Sequence, residues 1–532
     1  MDRRGKVLRA GFVAAAAAAV TALYFVFRSA LFYPDPMRWE LMLAAEGPAG
    51  AWHPHHLAYT PLAVAAWRVL QLVGYGGRLF GAMRILDAAL GGAGFVVFYA
   101  LLRRARVGFG PALAGAAALA FSYGYWAFAC NAECVILLTV AAVAAMWAVT
   151  WADAGSSVGR WFAAAVVAGA AAWTHVANAV LVVFVVAAFL AWARGRRRWL
   201  AVPLAGAFAL PGVLAYGVVG SVLLGKTPGA TLRWLLGTPG ATEYYTSYHI
   251  RNVLLDGYAL GRSLVGIRWA KDAATGVWTA GVVVPAVLTV ALAAALAAAF
   301  AVAVAGARRS APGGRRWVLW AGAAFLPPAV YFTFRDAGAV DRWTVQLAAL
   351  LFFIYVGLSR ARPGRLARAV TYGIPALLAV TNFAGSIYPE SRPANNEHLA
   401  VASFLRGYVR PGDVVISSGF GGLGPGPYIE YFAGARTLSI YYGTKDADAF
   451  RGALDAAWAG GRAAYVFDDR PRVTSLALVA PGRRDAYAIT GAAAARILAP
   501  YTWEPVAVYA GPRYAPSRLW RLRPRPAAGD IP

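Results

Sequence analysis

The sequence predicts a polytopic α-helical membrane protein with about 11 transmembrane helices, its N-terminus inside, and a small C-terminal extracytoplasmic α/β domain. Three observations predict this class. Hydrophobic residues make up 60% of the 532 and charged residues only 14%, with a mean hydropathy of +0.54, whereas soluble domains run near a quarter charged. Apolar windows of membrane-crossing length recur throughout residues 1–388. Beyond residue 389 the pattern changes to short apolar runs alternating with helical periodicity.

Windows of roughly 20 apolar residues fall near 7–28, 80–102, 109–129, 132–151, 160–175, 177–193, 200–224, 277–306, 316–334, 340–359 and 369–388. The first follows a basic Met-Asp-Arg-Arg-Gly-Lys start, lacks a small-residue cleavage site and reads as a retained helix. Segment 57–75 is shorter, contains Arg68 and reads as an interfacial helix. Orientation follows from the basic residues. With the N-terminus inside, the inner face receives twenty Arg and Lys and two acids, Asp2 and Asp153. The other ten acids of residues 1–388 then lie at or toward the outer face. The expected division is 1–388 for the membrane domain, with outer loops 29–79 and 225–276, and 389–532 for the outer domain. In the latter, strands are expected at Val414, Arg436 and Ala463, helices near Tyr428 and Asp446, and a loose tail from Arg521.

The formal charge of +26 does not indicate nucleic acid, because much of the Arg occupies short loops between spans. Cys130 and Cys134 are the only cysteines, so a disulfide framework or thiolate metal site is not expected. No Walker or dinucleotide fingerprint is present, and the glycine run at 419–426 is a poor phosphate cradle.

The polar residues of the outer face carry the functional reading, since ionisable groups kept at a membrane protein's interface usually have a use. Asp35 stands between two prolines, which are expected to hold it extended, and is followed by Arg38 and Glu40. A carboxylate there suits a general base, or is an ordinary loop residue. His53-Pro-His55-His56-Leu-Ala-Tyr59 ends the same loop. Its imidazoles suit phosphate or sugar contact, or interfacial packing. A divalent metal is possible, but the spacing is no standard ligand set. Glu133 offers a second carboxylate, and His175 with Asn178 offers polar contacts or helix–helix hydrogen bonds. Tyr244, His249 and Arg251 suit sugar stacking or the headgroup belt. Arg335, Asp336, Asp341 and Arg342 suit phosphate recognition through charge-assisted bonds, or pair with one another.

This layout resembles the GT-C superfamily of integral-membrane glycosyltransferases: a retained first helix, an acid soon after it, an interfacial helix, many spans and an outer C-terminal domain. His53-Pro-His55-His56-Leu-Ala-Tyr59-Thr-Pro61 is similar to the His-Pro-rich stretch of protein O-mannosyltransferase-like bacterial proteins, and Asp336-Ala-Gly-Ala-Val-Asp341-Arg342-Trp343 resembles their later acidic-aromatic turn. The resemblance implies sugar transfer, with inversion, from a polyprenyl-phosphate donor to a glycan, lipid or protein acceptor outside the cell membrane. It places Asp35 where the family keeps its catalytic base and implies no cofactor. The family's usual Asp-Glu pair is replaced by Asp35-Pro36, which leaves open whether Glu40 substitutes. Two other classes remain: a transporter or flippase for a lipid-linked or glycan substrate, which would keep ionisable groups near the midplane, and a noncatalytic membrane scaffold.

Overall fold

The computed structural model describes residues 3–154, 157–193, 195–236, 250–270, 279–309, 312–335, 338–417, 425–440, 446–468, 496–511 and 516–524. Two compact units emerge: one of Met1–Ser29 with Leu43–Ser391, and one of Ala30–Met42 with Arg392–Pro532.

The larger unit is helical and apolar throughout. Its helices are α1 (Arg3–Val26), the end of α2 (Pro34–Glu46), α3 (Tyr59–Leu72), α4 (Leu79–Arg104), α5 (Phe109–Phe121), α6 (Tyr123–Ala129), α7 (Val135–Asp153) and α8 (Val158–Thr174). They continue with α9 (Leu181–Trp192), α10 (Ala201–Gly217), α11 (Pro228–Leu236), α12 (Ile250–Leu264), α13 (Ala280–Arg309), α14 (Pro312–Arg335), α15 (Val340–Leu358) and α16 (Arg365–Asn382). Among the described residues seven helices are long and apolar enough to cross a membrane, or eight if the bent pair α5–α6 is one span. That pair bends by 66° at Ser122, whose backbone is extended. Asn382 makes the break tolerable: its amide donates to Phe121 O and Leu264 O, each at 2.8 Å, and its Oδ1 accepts from Gly266 N at 3.0 Å. Backbone groups freed inside an apolar bundle need such partners.

Helix α3, expected to be interfacial, is a short helix. Fourteen residues make a rod of about 21 Å, short of the roughly 30 Å hydrocarbon core, and it leaves Val69 and Leu72 exposed. Close helix crossings rest on glycine. A Cβ on Gly169 of α8 would run into the Phe208 carbonyl of α10.

The smaller unit contains α17 (Glu397–Leu405), α18 (Ala447–Ala459) and a five-stranded sheet. Its strands are β1 (Val414–Ser417), β2 (Arg436–Ser439), β3 (Ala464–Asp468), β4 (Tyr501–Tyr509) and β5 (Ser517–Pro524), in spatial order β2-β1-β3-β5-β4. β1 runs parallel to β2 and β3, with Val415 opposite Thr437 and Tyr465, and β5 is antiparallel to both β3 and β4. The sheet corrects one expectation. The tail from Arg521 is paired strand up to Pro524, because Leu519 and Leu522 alternate into the two buried faces of the sheet and Trp503 lies opposite Leu522.

Residues 30–42 join this unit through side chains far away in sequence. Tyr428 Oη accepts from Phe32 N at 2.8 Å and donates to Phe32 O at 2.6 Å. Asn396 Nδ2 donates to Ala30 O and, at 3.3 Å, to Tyr428 Oη. Phe32 stacks on Tyr428 and Phe432.

Candidate functional site

Asp35 is helical, not extended. It lies in the first turn of α2, where proline is tolerated because the first N–H groups of a helix have no intrahelical acceptor. Its side chain is 56% exposed, 3.9 Å from Arg38 Nη1. The helix N-terminus and the guanidinium both set positive potential beside the carboxylate. One turn on, Glu40 Oε2 accepts from Tyr431 Oη at 3.0 Å. Both acids belong to the smaller unit.

The histidine loop belongs to the larger unit. Its backbone is fixed from three sides: Val176 N donates to His55 O at 2.8 Å, Ala58 N donates to Trp173 O at 2.8 Å, and Tyr216 Oη donates to Pro54 O at 2.7 Å. The rings of His53 and His56 lie 4.0 Å apart between centroids, and His56 stacks on His175 at 6.2 Å. Burial and, secondarily, His55 push the His53 imidazole down to about 4. Burial, then His53, His55 and Arg342, lower His56. Both rings are therefore held neutral at physiological pH.

Positive charge comes from Arg342, in the first turn of α15. Its Nε is 3.3 Å from Asp341 Oδ2 and its Nη1 is 2.9 Å from His175 Nε2. On the far side of the same ring, His175 Nδ1 lies 3.0 Å from Ala177 N. A neutral imidazole has a single acceptor nitrogen, while Ala177 N–H and the guanidinium are both donors. The ring accepts from one of them at a time, and in the tautomer protonated at Nδ1 the Arg342 guanidinium donates to Nε2. The guanidinium is thus held between Asp341 and His175 and is the cation of this region.

An apolar slot begins at the next turn of the elements that carry this pair. Ala177, Asn178, Leu138, Phe332, Val345 and Gln346 are among its lining residues, and its cavity volume is small, about 20 Å³. Asn178 serves the scaffold here, its Nδ2 donating to Leu138 O and Ala171 O at 3.2 Å each.

Sequence reading missed the carboxylate around which this region is organised. Asp87, fully buried in α4, accepts at Oδ2 from Tyr59 Oη at 2.8 Å and from Glu133 N at 2.7 Å. Tyr59 is thus tied into the scaffold, and burial and then Asp87 raise its phenol well above the usual range. Glu133 Oε1 accepts from Cys134 N at 3.1 Å. Cys130 and Cys134 are both free thiols. Tyr244, His249 and Asp336 lie outside the described residues, as do the side chains of Arg251 and Arg335. Among the described residues no group of three or more His, Cys, Asp or Glu is placed to hold a metal ion.

No protein-family model matches the sequence, and no curated protein matches it. Solved structures do match. ArnT from Cupriavidus metallidurans bound to undecaprenyl phosphate superposes with TM-score 0.56 at 13% identity, over 98% of this chain and 98% of that one. Arabinofuranosyltransferase AftD from Mycobacteria gives 0.51 at 16% identity, over 98% of this chain and 42% of that one. The Archaeoglobus fulgidus oligosaccharyltransferase in complex with Zn and sulfate gives 0.50 at 13%, over 95% and 72%. All three are GT-C membrane glycosyltransferases, and this chain has the GT-C fold.

Proposed function

We propose that this protein is a membrane glycosyltransferase that moves a sugar from a polyprenyl-phosphate carrier to a glycan, lipid or protein acceptor at the extracytoplasmic face. The observation that supports the reading is the Arg342 guanidinium, held against His175 beside a small apolar slot. A lipid-linked phosphate supplies the anion that suits this cation. The fold shared with ArnT, whose structure holds undecaprenyl phosphate, supports it.

In this reading Asp35 takes the proton of the acceptor hydroxyl as its oxygen attacks the anomeric carbon. The bond from that carbon to the phosphate oxygen breaks, and the electron pair leaves on the phosphate with inversion. Arg342 stabilises the departing charge, with the neutral histidines as hydrogen-bonding partners. Glu40 and Glu133 are secondary acids. A donor already outside the membrane requires no nucleotide site.

The proposed topology has eleven crossings, N-terminus inside and smaller unit outside. It takes the eight apolar spans together with α8, α9 and α14. The test offers labelled polyprenyl-phosphate sugars and labelled nucleotide sugars to the protein in proteoliposomes. Label should leave the polyprenyl donors alone. Transfer from nucleotide sugars only, or from no donor, would overturn the reading.

A further inference from the structure

Helix α12 buries a polar stripe. Asn252, Asp256 and Ser263 are all buried and lie four and seven residues apart on one face, while Ile250 and Leu254 are exposed. Asn252 and Asp256 bond to the segment that leads into Arg342, and Ser263, whose hydroxyl also bonds Ala259 O at 2.9 Å, lies against its end. Asn252 Nδ2 donates to Thr333 O at 3.1 Å, near the end of α14. Ser263 Oγ is 3.1 Å from Val340 O, where α15 begins.

Asp256, between them, takes three donors. Its Oδ2 accepts from Thr333 Oγ1 at 2.5 Å, and its Oδ1 accepts from Gly338 N at 3.3 Å and from Trp343 Nε1 at 3.1 Å. One carboxylate therefore joins the last turn of α14, the connecting turn and the first turn of α15. Gly338 has a φ of +86°, a left-handed backbone that belongs to glycine, beside Leu255. Trp343 is buried, so its indole is fixed by packing and by Asp256 together. Arg342 is its chain neighbour.

We propose that Asp256 is a positioning residue for Arg342, setting the direction of the guanidinium toward His175 through Trp343 and the Gly338 turn. The proposal rests on the reading of Arg342 as the phosphate contact. Asp256 need not touch the ligand. Its effect on affinity should pass wholly through Arg342, which a general role in folding would not produce.

The experiment measures equilibrium binding of radiolabelled farnesyl phosphate to the purified full-length protein. Wild type is compared with Asp256→Ala, Arg342→Ala and the double variant, with Asp256→Asn as the conservative rescue. Arg342→Ala should weaken binding at least tenfold. Asp256→Ala should weaken it about tenfold alone and not at all in the Arg342→Ala background, and Asp256→Asn should recover most of the loss because an amide oxygen still accepts from Trp343. Should Asp256→Ala fail to fold, Trp343→Phe tests the same link, since it keeps the ring and deletes one donor; about a threefold loss confined to the Arg342 background is expected. Equal losses in both backgrounds, or none in either, would overturn the positioning role while leaving the phosphate reading intact. Absence of saturable binding to wild type would remove the phosphate reading and this inference with it.

Discussion

Replacing Asp87 with alanine removes the acceptor shared by the Tyr59 hydroxyl and the Glu133 N–H. Asp87 is fully buried, so neither donor regains water when the carboxylate is lost. A buried donor left without a partner costs about 1–3 kcal/mol. Two such donors, offset in part by no longer burying a carboxylate, give a net destabilisation of about 2–4 kcal/mol. Asp87→Asn keeps an oxygen acceptor and should cost about 1 kcal/mol or less. The assay is reversible unfolding by SDS titration in mixed micelles. A double-mutant cycle with Tyr59→Phe isolates the pair, with a coupling of about 1 kcal/mol expected. An Asp87→Ala protein within about 0.5 kcal/mol of wild type, or a cycle with no coupling, would refute the idea that this carboxylate holds the histidine loop's exit to the turn before α7.

Three further outcomes are expected. The His53 imidazole is held at about 4 against an ordinary 6.5, so the unfolded chain binds more protons between those values. The stability from neutral His53 is complete above about pH 6.5 and is lost as pH falls toward 4; unfolding midpoints should drop from pH 7 to 5, less so in His53→Gln, and equal slopes would count against it. Tyr428→Phe deletes the hydroxyl that bonds both Phe32 backbone groups. It should cost about 1–3 kcal/mol in the smaller unit and speed proteolysis within residues 30–42; an unchanged cleavage rate would contradict that. Gly169→Ala should force α8 from α10 and lower the yield of folded protein, because the opposing atoms are backbone; wild-type stability would show that the crossing can open without cost.

The parts of the fold legible in the sequence are those set by long-range composition. The apolar windows fall on the observed helices because each must satisfy its own backbone in hydrocarbon. β1, β2, β3 and α18 were readable because alternation and turn residues bound them. β4 and β5 were not: Pro505 interrupts one run and arginines punctuate the other, although pairing and burial on alternate faces hold both.

The candidate site was legible where polar residues cluster in sequence, as at His53–His56. Asp87 was not, because a lone acid nine residues into an apolar span has no local partner to mark it; Tyr59 and Glu133 lie 28 and 46 residues away. The bond from Tyr59 to Asp87 was hidden for the same reason. Asp35 was placed in the right segment but with the wrong backbone, because flanking prolines bar a helix interior yet suit its first turn.

The central claim is that Asp35 deprotonates the acceptor in a transfer from a polyprenyl-phosphate sugar. The direct measurement is the single-turnover transfer rate at saturating donor for wild type and Asp35→Asn, alongside the affinity of each for farnesyl phosphate. The account predicts a rate lowered by a factor on the order of 100 to 10,000 with phosphate affinity unchanged. A variant that transfers sugar at the wild-type rate would contradict it.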